Sequence, residues 1–140
     1  MPALFCEKGQ KIMLERFGHD SLIALATSVE NVPSVRTVNA LFIDDSFYVI
    51  THARSNKMLQ IAANPIVAVS GDWFTAHGIA ESLGHILLPA NAALADALRA
   101  AFASWYQNGH TDESDPNTII LRIRLTSARL LSPGTLYQAG

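Results

Sequence analysis

The sequence has few of the features that mark several common protein classes. Its single cysteine, Cys6, excludes an intramolecular disulfide and favours a reducing compartment. Charged residues make up only 16% of the 140 residues, and the net charge is −2. Such a balance argues against a nucleic-acid-binding surface, which needs clustered positive charge. Because charged residues also interrupt the longest apolar stretches, none reaches the roughly 20 residues of a membrane span, and we expect a cytoplasmic protein.

Motifs of common catalytic and metal sites are missing as well. The five histidines show no His-x-x-x-His spacing, and one cysteine cannot form a Cys-x-x-Cys motif. The chain contains neither the Gly-x-Ser-x-Gly elbow of a hydrolase nor the Gly-x-Gly-x-x-Gly turn of a dinucleotide-binding fold. We therefore predict no metal site and no catalytic acid, base or nucleophile.

The chain also lacks internal repeats, low-complexity tracts and Pro/Gly/Ser-rich linkers, which predicts a single domain over residues 1–140. Hydrophobic residues account for 49% of it. A small domain exposes much of its surface, so the low charge suggests that another subunit covers part of that surface.

What the sequence does contain is a series of β-rich segments. Helical spacing ends at Gly18, a short helix begins at Ser55 and stops at Asn64-Pro65, and the longest helical pattern runs over 91–105. Sequential strands joined by short turns favour antiparallel pairing, and so many strands in a small domain favour closure into a barrel. The fold class is therefore all-β with short helices, and the predicted strands are 21–29, 34–39, 40–43, 47–51, 66–70, 77–87 and 118–125.

The region around the short helix has the composition of a phosphate-binding site. Ser55, Asn56 and Lys57 occupy its first turn, where free backbone N–H groups and the helix dipole favour an anion. Lys57 adds a positive charge, and the hydroxyl groups of Ser55 and Thr51 add donors. Arg36, on a neighbouring strand, can supply a bidentate fork. Taken singly, each of these residues is more often a solvated or structural residue than a ligand-binding one.

Taken together and in order, five segments are more specific: Arg36-Thr37-Val38, Phe47–Thr51, Ser55-Asn56-Lys57, Asn64-Pro65 with the strand after it, and Gly78-Ile79-Ala80-Glu81. This order resembles the pyridoxamine 5′-phosphate oxidase-like family of FMN-binding split barrels, and in particular its short general-stress-protein-like members. The likeness covers roughly residues 21–81.

The resemblance implies a role for individual residues. Arg36, Ser55 and Lys57 would hold the FMN phosphate with support from Thr51, and the backbone near Val38 and Asn39 would meet the isoalloxazine edge. The family often has an arginine directly before the lysine, where this chain has Asn56, whose amide can still donate. Trp73 would lie near the ring across a homodimer interface; the alternative is an ordinary buried interface aromatic.

The function implied is that of an FMN-dependent oxidoreductase acting on an unnamed small molecule. The flavin performs the electron transfer, so no catalytic residue is required. We do not expect authentic pyridoxamine-phosphate oxidase activity, because residues 132–140 lack the Arg, Trp and His residues of the segment that grips that substrate. The alternatives are a relative with the same barrel that binds haem or a deazaflavin, and a non-enzymatic flavin-binding or stress-related interaction protein.

Overall fold

The computed structural model describes residues 3–140, which form a closed antiparallel β-barrel with helices at its ends and on one side. The strands follow the order β3-β2-β1-β4-β5-β6-β7, and pairing of β3 with β6 closes the first six into a barrel. The strands are β1 (Ser21–Val29), β2 (Val32–Ile43), β3 (Ser46–His52), β4 (Ile66–Gly71), β5 (Phe74–His85), β6 (Thr118–Ser132) and β7 (Thr135–Ala139). The predicted fold class is confirmed.

Two hairpins set the register of the first three strands. In the β1–β2 turn, Glu30 and Asn31 both have positive φ, and in the β2–β3 turn, Asp44 and Asp45 do. Two-residue turns of this kind match the right-handed twist of the flanking strands, and Asn and Asp tolerate the left-handed region better than most residues. The hairpin predicted around Asp44-Asp45-Ser46 is therefore confirmed.

Several predicted boundaries were wrong. Residues 34–39 and 40–43 belong to one continuous strand, β2, and β5 starts three residues earlier than predicted and ends at His85. The pattern over 91–105 is a 3₁₀ turn (Pro89–Asn91) followed by α3 (Ala92–Ala101) and a single-turn helix, α4 (Ala103–Tyr106), because the helix is interrupted at Phe102. Strand β6 continues to Ser132, where the prediction ended at 125, and β7 was not predicted.

The length of β6 allows it to pair with two strands on one edge. Residues 118–124 pair with β3, and residues 128–132 pair with β7. A bulge between His77 and Gly78 lets β5 pair with both of these parts of β6. A Cβ atom at residue 78 would lie 2.7 Å from the Arg124 carbonyl oxygen, so only glycine fits this crossing.

The apolar residues form two clusters. The larger one fills the barrel and is closed at one end by α1 (Glu7–Phe17), through Met13 and Phe17, and at the other by α2 (Asn56–Ala63), through Met58 and Ile61. The smaller one lies outside the barrel, where α3 and α4 pack on β2, β3 and β6. The remaining outer face, formed by β1, β4 and β5, has no helix on it among the described residues.

Candidate functional site

Helix α2 presents its N-terminus at one end of the barrel. Ser55 is its N-cap, with the extended backbone that an N-cap residue adopts (φ −65°, ψ 157°), and the helix ends at Asn64 before Pro65. Met58 and Ile61 are buried against the barrel core, so the first turn, with Asn56 and Lys57, is fixed at the rim. The backbone N–H groups of a first helical turn have no partner within the helix, and the helix dipole favours an anion there.

The Ser55 side chain does not cap this helix. Its Oγ atom is buried and makes no hydrogen bond with the described residues, although serine at this position usually accepts from a backbone N–H group. A buried hydroxyl without a partner costs on the order of 1–3 kcal/mol. Such a group at a helix N-terminus fits a site that a ligand oxygen completes.

Lys57 lies in the same turn and is partly buried. Its Nζ donates to Thr51 Oγ1 over 2.7 Å. Desolvation, and secondarily the charge of Arg36, lower the pKa of Lys57 from its ordinary value. Since an ammonium group has three N–H donors, donors remain on Nζ after the Thr51 bond is formed. Arg36 is linked to the same helix by geometry as well, through its hydrogen bond to Gln60, which follows Lys57 by three residues in α2.

Arg36 reaches this cluster from β2. Its Nη1 donates to the Leu25 carbonyl oxygen over 3.2 Å and to Thr27 Oγ1 over 2.9 Å, and its Nη2 donates to Gln60 Oε1 over 2.6 Å. Desolvation lowers the pKa of Arg36. Within residues 3–140, neither Arg36 nor Lys57 forms an ion pair with a carboxylate. Two neighbouring cations without a counter-charge are expensive to bury unless an anion joins them.

The segment between β3 and α2 is held by the loop that precedes β6. The Ala53 N–H donates to the Asn117 carbonyl oxygen over 2.8 Å, and His52 Nε2 lies 3.3 Å from Asp115 Oδ2. His52 Nδ1 in turn accepts from the Arg54 N–H over 3.1 Å. The segment that leads into α2 is therefore held in place by the loop before β6 and by its own hydrogen bond, as a binding site built on a connecting segment requires.

The structure brings four of the predicted site residues together: Arg36, Thr51, Ser55 and Lys57. Asn56 is exposed as the first residue of α2, next to this cluster. Val38 is buried on the face of β2 that carries Arg36, one pleat further along the strand. Their contacts with a cofactor remain predictions.

The side chains of two other predicted residues, Asn39 and Trp73, lie outside the cluster around Lys57. The Asn39 side chain donates to Asp20 Oδ1 over 2.9 Å, and Asp20 Oδ2 accepts from Trp105 Nε1 over 3.0 Å, so this amide links β2 to the outer helices. Trp73 occupies the β4–β5 turn, beyond the end of β4 that is remote from α2. It is 69% exposed and has a φ of 51°, an unfavourable backbone for a bulky residue. Within one chain, Trp73 does not join the cluster around Lys57.

Sequence reasoning missed Thr27 and Gln60, the two side chains that hold Arg36. Gln60 follows Lys57 by three residues, so helical spacing places both on one side of α2 and offered a signal. Thr27 continues the buried row of Ile23 and Leu25 in β1, where a polar residue needs a partner.

Two further findings concern the described residues as a whole. Among residues 3–140, no group of three or more His, Cys, Asp or Glu side chains is placed to hold a metal ion. In the same part of the chain, each helix is too short or too polar to cross a membrane.

Comparison with known proteins supplies the fold's relatives. A FAD-binding protein from Mesorhizobium loti superposes with a TM-score of 0.68 at 14% identity, covering 93% of this chain and 94% of that one. General stress protein 26 from Bacillus anthracis gives a TM-score of 0.65 at 18% identity, covering 85% and 90%. A heme-binding protein from Mycobacterium smegmatis gives 0.62 at 16% identity, covering 86% of this chain and 53% of its own. At these identities the likeness shows the fold.

The sequence comparisons identify one family. No curated protein matches the chain. The family described as pyridoxamine 5′-phosphate oxidase matches residues 12–132. This range includes the six strands of the barrel, β1 to β6, and helix α2. The chain belongs to the pyridoxamine 5′-phosphate oxidase family.

Proposed function

We propose that the protein binds FMN through its phosphate at the N-terminus of α2 and transfers electrons between the flavin and a small molecule. The observation that supports this most directly is the cluster of Arg36, Lys57 and Ser55. Among residues 3–140, it combines two cations that have no carboxylate partner with a buried hydroxyl that has no hydrogen-bond partner.

The chemistry of this cluster suits a phosphate monoester. Such a group carries close to two negative charges near neutral pH and has three acceptor oxygens. The Arg36 and Lys57 charges match that charge, while the first-turn N–H groups of α2 and the Ser55 hydroxyl offer directional donors. Thr51 accepts from Lys57 Nζ and so restricts where the ammonium group can point.

When bound, the flavin supplies the electron-transfer chemistry, and the protein supplies binding and orientation. Anchoring the phosphate at α2 fixes one end of the cofactor. As the family resemblance implies, the backbone near Val38 and Asn39 would meet the edge of the ring, while the Val38 side chain packs in the barrel core. We assign no catalytic acid or base.

We further propose that the functional unit is a homodimer formed through the outer face of β1, β4 and β5. This face contains a groove of about 690 Å³ whose floor is made of small side chains, including Ala24, Ala26, Ala68 and Ser70. Large apolar residues on this face, and on the adjacent strand β2, are unusually exposed, at 64% for Leu22, 59% for Ile66 and 70% for Val35 of β2. Apolar patches of this kind on a small domain indicate a contact surface, and small central side chains permit a second sheet to approach closely.

The phosphate assignment is tested by comparing FMN with riboflavin, which has the same ring and no phosphate. Charge-assisted hydrogen bonds contribute about 1.5–3 kcal/mol each, so Lys57→Ala should weaken FMN binding by roughly ten- to a hundredfold. Riboflavin affinity should change little. Lys11→Ala, which removes an exposed lysine on α1, is the matched control and should alter neither ligand. Equal losses for both ligands in Lys57→Ala would place the phosphate elsewhere.

The absorbance spectrum of the purified protein tests the choice of cofactor. Two flavin bands, with reconstitution of apoprotein by FMN, support the proposal. A Soret band would replace FMN with haem, and preference for a deazaflavin over FMN would replace it with that cofactor. A colourless protein that does not take up FMN would refute flavin binding.

The dimer is tested by sedimentation of Ala68→Arg. Ala68 lies between Ala26 and His77 on the groove floor, and an arginine there should separate the subunits without disturbing the barrel interior. Ala68→Ser, which keeps the residue small, should remain a dimer. A wild-type protein that sediments as a monomer with FMN bound would contradict the dimer proposal.

A further inference from the structure

We infer that Gln60, together with Thr27, is a positioning residue that fixes the Arg36 guanidinium by neutral acceptors only, so that its charge stays available to the FMN phosphate. This inference rests on the proposed function. Gln60 and Thr27 lie outside the predicted site, and their role would be to hold Arg36, one of its two cations, in position.

The three side chains form a closed set of hydrogen bonds. Gln60 Oε1 accepts from Arg36 Nη2 and from Thr27 Oγ1, each over 2.6 Å. Thr27 Oγ1 also accepts from Arg36 Nη1 over 2.9 Å. The Gln60 Nε2 group lies 3.5 Å from Ser34 Oγ, which leaves Oε1 directed toward the guanidinium. Each member therefore restrains the other two.

Thr27 needs its hydroxyl for this arrangement. The residue is only 2% exposed, so a polar group there depends on protein partners. Its hydroxyl donates to Gln60 and accepts from Arg36 at the same time, a combination available to serine and threonine and not to the isosteric valine. The hydroxyl thus links the β1 backbone to both Arg36 and α2.

Gln60 also ties Arg36 to the helix that carries the rest of the site. It lies on α2 three residues after Lys57, so both side chains occupy neighbouring positions on the helix surface. Arg36, which comes from β2, is thereby held at a fixed position relative to Lys57 and Ser55. A phosphate can meet both cations only if this spacing is maintained.

The neutrality of the acceptors distinguishes Arg36 from Arg99 and Arg122. Arg99 is held by the carboxylates of Glu113 and Asp96, and Arg122 by that of Glu81. The pKa of Arg99 is raised by Glu113, whereas that of Arg36 is lowered by desolvation. A carboxylate neighbour cancels most of the field that a cation exerts on a third group. The amide of Gln60 holds the guanidinium and leaves that field intact.

The decisive variant is Gln60→Glu, which keeps the shape of the side chain and an acceptor for Arg36 while adding a negative charge beside it. We expect an apoprotein that melts no lower than wild type, FMN affinity reduced by about tenfold or more, and riboflavin affinity within about twofold of wild type. Gln107→Glu, on the exposed turn after α4, makes the same change in net charge and should leave both affinities unchanged.

A second pair of variants tests the hydroxyl independently. Thr27→Val should weaken FMN more than riboflavin, and Thr27→Ser, which retains both hydrogen bonds, should restore FMN affinity to near that of wild type. Equal weakening of both ligands by Thr27→Val, or no recovery in Thr27→Ser, would assign Thr27 a packing role only.

The positioning role of Gln60 and the phosphate assignment can be refuted separately. If Lys57→Ala weakens FMN selectively while Gln60→Glu does not, the phosphate is where we propose and the positioning role of Gln60 is refuted. If Gln60→Glu weakens FMN and riboflavin equally, the residue has a purely structural role, and the inference is again refuted. If Lys57→Ala shows no selectivity, the phosphate assignment itself fails.

Discussion

The two ends of the barrel are each closed by a helix, yet they are built from different kinds of residue. At the α1 end, Phe17 packs against Phe47 and Phe74 with ring centroids 5.5 and 5.3 Å apart, and Met13 is fully buried. At the α2 end, the apolar contact of Met58 and Ile61 is surrounded by charged and polar groups. Departures from complete pairing are expected at functional sites. Among residues 3–140, buried polar atoms without a partner occur at both ends, as the acceptors Gln10 Oε1 and Asp45 Oδ1 at the α1 end and as the Ser55 hydroxyl at the α2 end. The α2 end also places two cations together without a carboxylate partner.

The difference indicates a division of tasks within one small core. The Phe17, Phe47 and Phe74 rings pack together at the α1 end, and a Cβ atom added at Gly71 would lie 2.8 Å from the Phe17 ring, so this part of the core is closely packed. At the α2 end, by contrast, donors on Ser55 and Lys57 are left over after the contacts within the chain are made. Changes at the first end should therefore affect folding, and changes at the second should affect FMN binding.

The largest effect is expected from Phe17→Ala. Removing a fully buried aromatic side chain costs about 3–5 kcal/mol of unfolding free energy, because the cavity left behind collapses only partly. Urea denaturation of the apoprotein should show this loss. The ratio of FMN to riboflavin affinity in the folded fraction should stay as in wild type; a change in that ratio would mean that the two ends are coupled.

Ser55→Ala should have the opposite signature. Its buried hydroxyl makes no capping bond, so the free energy of unfolding of the apoprotein should stay the same or rise, whereas loss of a capping serine usually costs roughly 1 kcal/mol. A hydrogen bond to a charged phosphate contributes about 1.5 kcal/mol or more, so FMN should bind roughly tenfold more weakly. Thermal melts of the apoprotein with and without FMN separate the two effects. A large loss of apoprotein stability would show that the hydroxyl supports the helix.

The pH dependence of FMN binding should reflect both groups of the proposed contact, the FMN phosphate and the Lys57 ammonium group. Below a pH of about 6 the phosphate takes up a proton, loses one negative charge and binds more weakly. At alkaline pH Lys57 loses its proton, and because desolvation and Arg36 lower its pKa, this decline should begin below the range of an ordinary lysine. Titrations of FMN against riboflavin across this range should show both limbs for FMN only. Lys57→Met should abolish the alkaline limb and keep the acid one.

The smallest effect is expected from Asn56→Arg, which installs the arginine that relatives often have before the lysine. Asn56 is exposed, so the added charge is screened by water and should contribute about 0.2–1 kcal/mol, equivalent to a gain of up to about fivefold in FMN affinity. The gain should shrink as salt is added. Isothermal titration at two salt concentrations measures it, and a gain that is independent of salt would not arise from charge.

The parts of the fold that could be predicted from sequence are those with local causes. The limits of α2 follow from Ser55 and from Asn64-Pro65, and the β2–β3 hairpin follows from Asp44-Asp45. Strand β7 and the second half of β6 depend on pairing at a distance, such as Phe74 opposite Leu130. Only the alternation of Ala128 and Leu130 with exposed residues indicated that β6 continues, and this signal is too short to be decisive.

The same distinction applies to the site. Lys57, Ser55 and Thr51 are near one another in the sequence, and Arg36 was predicted beside them from its position on a neighbouring strand, with the family resemblance in support. Thr27 and Gln60 are 33 residues apart and meet only because α2 packs on β1. Their hydrogen bond depends on tertiary packing, which a reading of local motifs does not contain.

Strand β6 also has a consequence for how the protein is made. The barrel closes when residues 46–52 of β3 pair with residues 118–124, so the closing contacts join parts of the chain some 70 residues apart. Contacts of such long range slow folding, because the intervening chain must be ordered or looped before they form. During synthesis, β3 lacks its barrel-closing partner until residues 118–124 have emerged. Chaperones that shield exposed strand edges should therefore raise the yield of this protein when they act before residue 124 has emerged.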